Sequence, residues 1–227
     1  MAKTIIVAGY GIGISKAVAE KFAAEGFAVA LVARNAEKLA AGVKDLEAKG
    51  AKALAITGDL GNEKSVTDVV AKARALGPIH VLQWTAYAGQ AGNVLEADTA
   101  AFHAVLDVAT IGLTAAVRAA LPDLKETKGS ILVTNGGLGF FDPNVDKAAV
   151  AYNAMGLAIA NSAKHKLVGL LAEKLRADGI YVGEVMVLGA VKGTAFDQGN
   201  ATIEATTIAN EFWQLHTERK ELSVNVG

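Results

Sequence analysis

Ala8-Gly9-Tyr10-Gly11-Ile12-Gly13-Ile14-Ser15 is the stretch on which the reading of this sequence turns. It follows a short apolar run at 4–8 and leads straight into a segment, 15–25, whose apolar positions Val18, Ala19, Phe22 and Ala23 fall on one helical face. Glycines between a strand and a helix let the backbone turn sharply and come close to a pyrophosphate. The phosphate charge then sits on free N–H groups at the helix start. A lone glycine-rich stretch is weak evidence, but between the first strand and first helix of an alternating chain it is specific. Gly9, Gly11, Gly13 and Ile14 are therefore candidate contacts to a dinucleotide.

The pattern continues outward from that turn. Gly26 stops the first helix, and further strands are expected at 28–32, 53–57, 81–84, 131–134 and 181–187, with 223–226 as a seventh at the edge. Between them lie helical segments at 37–49, 63–76 and 99–120, the last stopping at Pro122, and a long one at 148–178. The strands are apolar throughout rather than alternating, which indicates burial on both faces of a parallel sheet. Alternating β and α units with right-handed crossovers give a doubly wound α/β sheet. No repeat, low-complexity tract or linker interrupts residues 1–227, so one domain is expected.

Composition removes several function classes. With 52% hydrophobic and 20% charged residues, the chain has ample material for a core and is not disordered. Its 22 basic residues balance 23 acidic ones without any basic tract, so neither nucleic acid nor an anionic membrane is an expected partner. Without cysteine there is no disulfide framework, thiolate zinc site or cysteine nucleophile, which fits a reducing compartment. His80, His103, His165 and His216 are scattered, so no metal site is expected, and Ser162 has no visible His/Asp arrangement. The long charge-free run 75–95 contains Pro78, Gln83, Gly89, Gly92 and Asn93 and does not read as a membrane span. With no leader visible at the N-terminus, a soluble cytoplasmic protein is expected.

The second strand ends Leu31-Val32-Ala33-Arg34-Asn35, a basic residue where an acid would bind the ribose hydroxyl of NAD. A charge-assisted hydrogen bond from Arg34 to the extra phosphate of NADP is worth roughly 1.5–3 kcal/mol. That corresponds to about ten- to a hundred-fold in affinity, so NADP(H) is expected over NAD(H), with Asn35 beside Arg34 in the same site.

These residues resemble the short-chain dehydrogenase/reductase family over nearly the whole chain, which implies a single Rossmann-like domain. The family's opening pattern falls on Ala8, Gly9, Gly13 and Ser15, with Ser15 in place of the last glycine. Asp59-Leu60 after the third strand is similar to the family's adenine-contacting Asp and its neighbour. The Asn-Asn-Ala-Gly stretch of the family appears as Trp84-Thr85-Ala86-Tyr87, which implies cofactor contacts at Thr85 and Ala86. Leu188-Gly189-Ala190-Val191-Lys192-Gly193-Thr194 resembles Pro-Gly-x-Val-x-Thr, which implies that Gly189, Val191 and Thr194 lie at the nicotinamide.

The catalytic half departs from the resemblance. The family places a Tyr four residues before a Lys, with a Ser and an Asn nearby. Counted back without gaps from Leu175 and Gly179-Ile180, the Tyr and Lys positions are Leu157 and Asn161. Sliding by one helical turn puts Ala160 and Lys164 there instead. Ala109 stands in the Asn position, and Thr134-Asn135-Gly136-Gly137 offers no serine. Tyr152 and Lys164 are the candidate catalytic residues, and Tyr87 is a further tyrosine at the sheet's carboxyl edge. The stretch 192–215, with Phe196, Phe212 and Trp213, is expected to be a substrate lid, although helical spacing makes the last two better core residues.

The expected function is hydride transfer to or from a small carbonyl, alcohol or imine with a non-standard proton donor. The alternative is a catalytically silent nucleotide-binding sensor or scaffold subunit. The resemblance also implies a homodimer or homotetramer packed through the helices at 99–120 and 148–178.

Overall fold

The continuous apolar runs become the middle layer of the molecule. In the computed structural model, which describes residues 3–89 and 91–227, they form one seven-stranded sheet. The strands are β1 Lys3–Ala8, β2 Phe27–Ala33, β3 Ala53–Thr57, β4 Ile79–Trp84, β5 Ser130–Gly136, β6 Tyr181–Val187 and β7 Ser223–Val226. Their order is β3-β2-β1-β4-β5-β6-β7, and each neighbouring pair is parallel. Parallel neighbours need crossovers, and helices on both faces supply them: α1 Ile14–Ala24, α2 Ala36–Ala48, α3 Glu63–Ala73, α4 Thr99–Leu106, α5 Leu113–Thr127, α6 Pro143–Ala151, α7 Met155–Leu175 and α8 Ala205–Glu218.

Alternate residues of each strand feed two cores. Ile6, Val32, Leu82 and Val133 pack with Val70, Leu113 and Val168 on one face. Ile5, Val7, Leu31 and Leu132 pack with Val18, Phe22, Ile208 and Phe212 on the other. This is the doubly wound, Rossmann-like sheet expected from the sequence. The strand order reverses between β1 and β4, which opens a crevice at their carboxyl ends where such sheets bind ligands.

The helix expected at 99–120 is longer and interrupted. It runs through a π-helical turn, Asp107–Gly112, and continues past Pro122 to Thr127, so Pro122 lies inside α5 rather than ending it. An interior proline costs roughly 3 kcal/mol. Val117, Ala120 and Leu124, however, are buried against the sheet on either side of it, and a large apolar side chain contributes roughly 1.5–3 kcal/mol when buried. Thr99–Thr127 is also long and apolar enough, by length and composition alone, to cross a membrane. Its residues Leu113, Ala116, Ala120 and Leu124 belong to the core instead.

The long helix expected at 148–178 is two helices, broken at Tyr152–Ala154 with Asn153 in a left-handed conformation. The reason is distant in sequence. The N–H groups of Met155 and Gly156, at the start of α7, donate to the carbonyls of Gly92 and Ala91 at 2.9 and 3.2 Å. The loop after β4 thus caps α7 and fixes where it begins.

Candidate active site

Three separate stretches of chain meet at the glycine turn. Gly9 and Gly13 have φ of +91° and +89°, a region that disfavours other residues, and both are closely approached. A Cβ on Gly9 would lie 2.5 Å from the backbone nitrogen of Ala86, and one on Gly13 would lie 2.5 Å from the Thr194 methyl. A Cβ on Gly11 would meet nothing within 4 Å, so the turn is open on that side. The Gly11 N–H donates to Ser15 Oγ at 2.9 Å, which ties the turn to the first turn of α1. Helix α1, starting at Ile14, has no side-chain cap and no acidic residue in its first turn, which leaves its positive end to an anion. Tight walls, an open middle and an uncapped helix start fit the pyrophosphate of a dinucleotide.

The other candidate contacts follow the carboxyl ends of β2, β3, β4 and β6. Arg34 is exposed just past the end of β2 and makes no ion pair among the described residues. Asn35 caps α2, its Oδ1 accepting from Lys38 N at 2.8 Å. Asp59 is exposed, with Oδ1 accepting from Gly61 N at 3.0 Å. Leu60 puts its side chain into the core, so it can face a ligand only through its backbone. The Thr85 and Thr134 hydroxyls are 2.8 Å apart, and the buried Gln83 amide donates to both. Thr194 Oγ1 donates to the Val191 carbonyl at 2.7 Å, Val191 bridges to Ile203, and Gly189 packs against the same Ile203.

On the far side of the crevice the ends of β5 and β6 meet α7. Asn161 lies against Gly136, where a Cβ would come within 2.7 Å of its Nδ2. Ser162 Oγ donates to the Gly139 carbonyl at 2.7 Å. Below them, Glu184 on β6 is wholly buried (0%). Asn135 Nδ2 donates to Glu184 Oε2 and to the Asn161 carbonyl, both at 3.1 Å, while its Oδ1 accepts from Gly136 N at 3.0 Å. The His165 Nδ1 pairs with Glu184 Oε1. Lys164 is also buried (5%), and burial lowers its ammonium pKa to about 8 against the opposing pull of the Glu184 carboxylate. Tyr152 is 75% exposed at the end of α6. Lys164 lies nine residues into α7, a rise of about 14 Å from its first residue. The fold therefore does not bring Tyr152 and Lys164 together.

The sequence profile of the short chain dehydrogenases matches residues 3–204. The chain belongs to the short-chain dehydrogenase family. A cis-2,3-dihydrobiphenyl-2,3-diol dehydrogenase of Pseudomonas sp. (strain KKS102) is 31% identical over 195 residues, which cover 78% of this chain and 64% of that protein. A cis-1,2-dihydrobenzene-1,2-diol dehydrogenase of Pseudomonas putida is 27% identical over 195 residues, 80% and 66% of the two chains. The chain thus spans slightly under two thirds of the length of these relatives. Among solved structures, the NADPH complex of a blue fluorescent protein from a metagenomic library superposes with a TM-score of 0.86 at 25% identity, covering 99% of this chain and 96% of the other. A metagenomic short-chain oxidoreductase in complex with NADP gives 0.80 at 23% identity, with 99% and 95% covered.

In this short-chain dehydrogenase family member, Ala109 sits in the π-helical turn and packs with Ala91, Val105 and Ala160. Gly112, at the end of that turn, has no room for a side chain beside the Leu60 carbonyl. The stretch expected to form a lid is divided. Residues 205–215 belong to α8, whose Ile208, Ala209, Phe212 and Leu215 are buried in the core with Val18 and Phe22 of α1. Only 192–204 is irregular. There the Asp197 carboxylate accepts from the N–H groups of Gly193, Gly199 and Ala201, and these bonds hold it below the usual carboxylate range. Lys192 pairs with Glu204.

Sequence reasoning missed the Glu184–Asn135 pair. A signal was present, since Glu184 is the single charged residue of the strand Tyr181-Val182-Gly183-Glu184-Val185-Met186-Val187. Its partners come from β5 and α7, which no local pattern could join.

Proposed function

We propose that the protein is a soluble, cytoplasmic oxidoreductase that prefers NADP(H) to NAD(H) and acts on a small carbonyl, alcohol or imine. The observation that carries this reading is the glycine cradle, walled by Ala86 and Thr194 and open at Gly11. Its preference rests on Arg34, a guanidinium beside the crevice with no acid partner among the described residues. In this reading Gly9, Gly11, Gly13 and Ile14 take the pyrophosphate, and Arg34 with Asn35 takes the ribose phosphate. Asp59 and the Leu60 backbone face the adenine, while Thr85, Ala86, Gly189, Val191 and Thr194 face the nicotinamide end. The bound cofactor supplies or accepts the hydride. The chain orients it and must hold or move one proton, for which Lys164 and Tyr152 are the candidates.

A second reading is a nucleotide-binding sensor or scaffold subunit without turnover. It is favoured by the packing of Ala109 with Ala160 and by the bare glycines at the end of β5. The test is calorimetric titration with NADPH and NADH, followed by a carbonyl panel. The expected result is NADPH binding at least tenfold tighter than NADH, with that ratio collapsing in Arg34→Ala. Equal affinities in the native protein would refute the NADP preference. Binding without any turnover would favour the sensor.

A further inference from the structure

We propose that the cleft takes an uncharged substrate bearing an aryl ring, and that Tyr87 and Phe196 grip that ring. This rests on the oxidoreductase reading. Tyr87 directly follows Ala86, whose backbone abuts Gly9, and Phe196 stands two residues past Thr194, whose methyl abuts Gly13. The two rings therefore belong to loops anchored on the two tight glycines of the cradle. They meet with centroids 5.8 Å apart and planes at 44°. Tyr87 is nevertheless 52% exposed and Phe196 43% exposed, so apolar ring surface remains open to a third planar group.

The rest of the rim agrees. The loop stretches at the carboxyl edge of the sheet, 86–89, 136–138, 188–190 and 193–196, contain no charged residue. Lys192, between the last two of these stretches, has its ammonium paired with Glu204, and the Asp197 carboxylate just past Phe196 is held by three backbone N–H groups. A carboxylate or phosphate on the substrate would find no unpaired cation on these stretches among the described residues.

The departures from the family pattern run the same way. Tyr87 stands where the resembled motif ends in glycine, Ala109 where it has an asparagine, and Gly136-Gly137 where it offers a serine. Ala109 and Gly136-Gly137 carry no polar side chain, and Tyr87 adds an aromatic ring. A ring that packs on the open faces of this pair gains aromatic contacts that an alkyl chain of similar size lacks, an effect of about two- to tenfold.

The experiment compares benzaldehyde, pentanal and 4-carboxybenzaldehyde with the NADPH-loaded protein. Benzaldehyde is expected to exceed both others in kcat/KM, and pentanal by roughly three- to tenfold. In Tyr87→Leu and Phe196→Leu, which keep bulk but lose the ring, that preference is expected to fall toward one through KM, with NADPH affinity unchanged. No preference in the native protein, or one that survives both substitutions, overturns the proposal while leaving the oxidoreductase reading intact. If NADPH binds and none of the three aldehydes turns over, the sensor reading is favoured over the oxidoreductase reading. Saturation-transfer NMR with benzyl alcohol, run with and without NADPH, then decides the grip: transfer that is lost in the double variant supports it, and transfer that is absent or unchanged overturns it.

Discussion

His216 carries the clearest single-residue consequence of the fold. Its ring lies among Phe22, Phe27 and Trp213, with its centroid 5.6–5.7 Å from each of theirs, and its Nδ1 is 2.9 Å from Ser130 Oγ. Burial lowers its pKa to about 4, and the nearby charges of Arg219 and Lys3 act in the same direction. The folded protein therefore holds this imidazole neutral, whereas the unfolded chain protonates it near pH 6.5. Protons bind the unfolded state first, so the stability is complete above about pH 6.5 and is lost as pH falls toward 4. Thermal unfolding followed by circular dichroism should show the melting temperature dropping across that interval, and dropping less in His216→Gln. Parallel curves for the two chains would assign the acid sensitivity elsewhere. The histidine is visible in the sequence, but its titration is set by rings from α1, β2 and α8.

At the scale of elements, we propose that the register of α7 favours Lys164 over Tyr152 as the group that handles the proton. Its register is fixed by the Ala91 and Gly92 carbonyls at its start and by the contact of Asn161 with Gly136. That register puts Asn161 against the end of β5 and the buried Lys164 one turn further along, within the electrostatic reach of Glu184. A buried ammonium with a pKa of about 8 is poised to give up a proton near neutrality, whereas Tyr152 is exposed on a different helix. Lys164→Met should lower turnover by about 10²–10⁴ while leaving NADPH affinity in place, the usual effect of removing a general acid–base. Tyr152→Phe falling by that amount instead would place the proton's entry at the end of α6. A long helix at 148–178 was legible in the sequence. The start of the helix was not, because its cap comes from a loop some sixty residues earlier.

For the whole molecule, the apolar side chains Ile111, Ile159 and Leu170 remain exposed on the π-helical turn and α7. Association of two copies through these helices would bury them, and sedimentation equilibrium at micromolar concentration should return a dimer or tetramer. A monomer there would end that expectation. The fold class and the glycine turn after β1 followed from local features: continuous apolar runs need two covered faces, and glycines between a strand and a helix mark where the backbone must turn. Arg34 was legible for the same reason, since strand β2 sets its place at the sheet edge. Long-range contacts decided the rest. The burial of Val117, Ala120 and Leu124 carried α5 through Pro122, and the loop after β4 cut one helix into α6 and α7. The Glu184 cluster and the Tyr87–Phe196 pair each join residues from different elements. Periodicity reports what a residue's neighbours in sequence require, whereas a buried charge or a ring pair depends on groups that only the folded chain brings within reach.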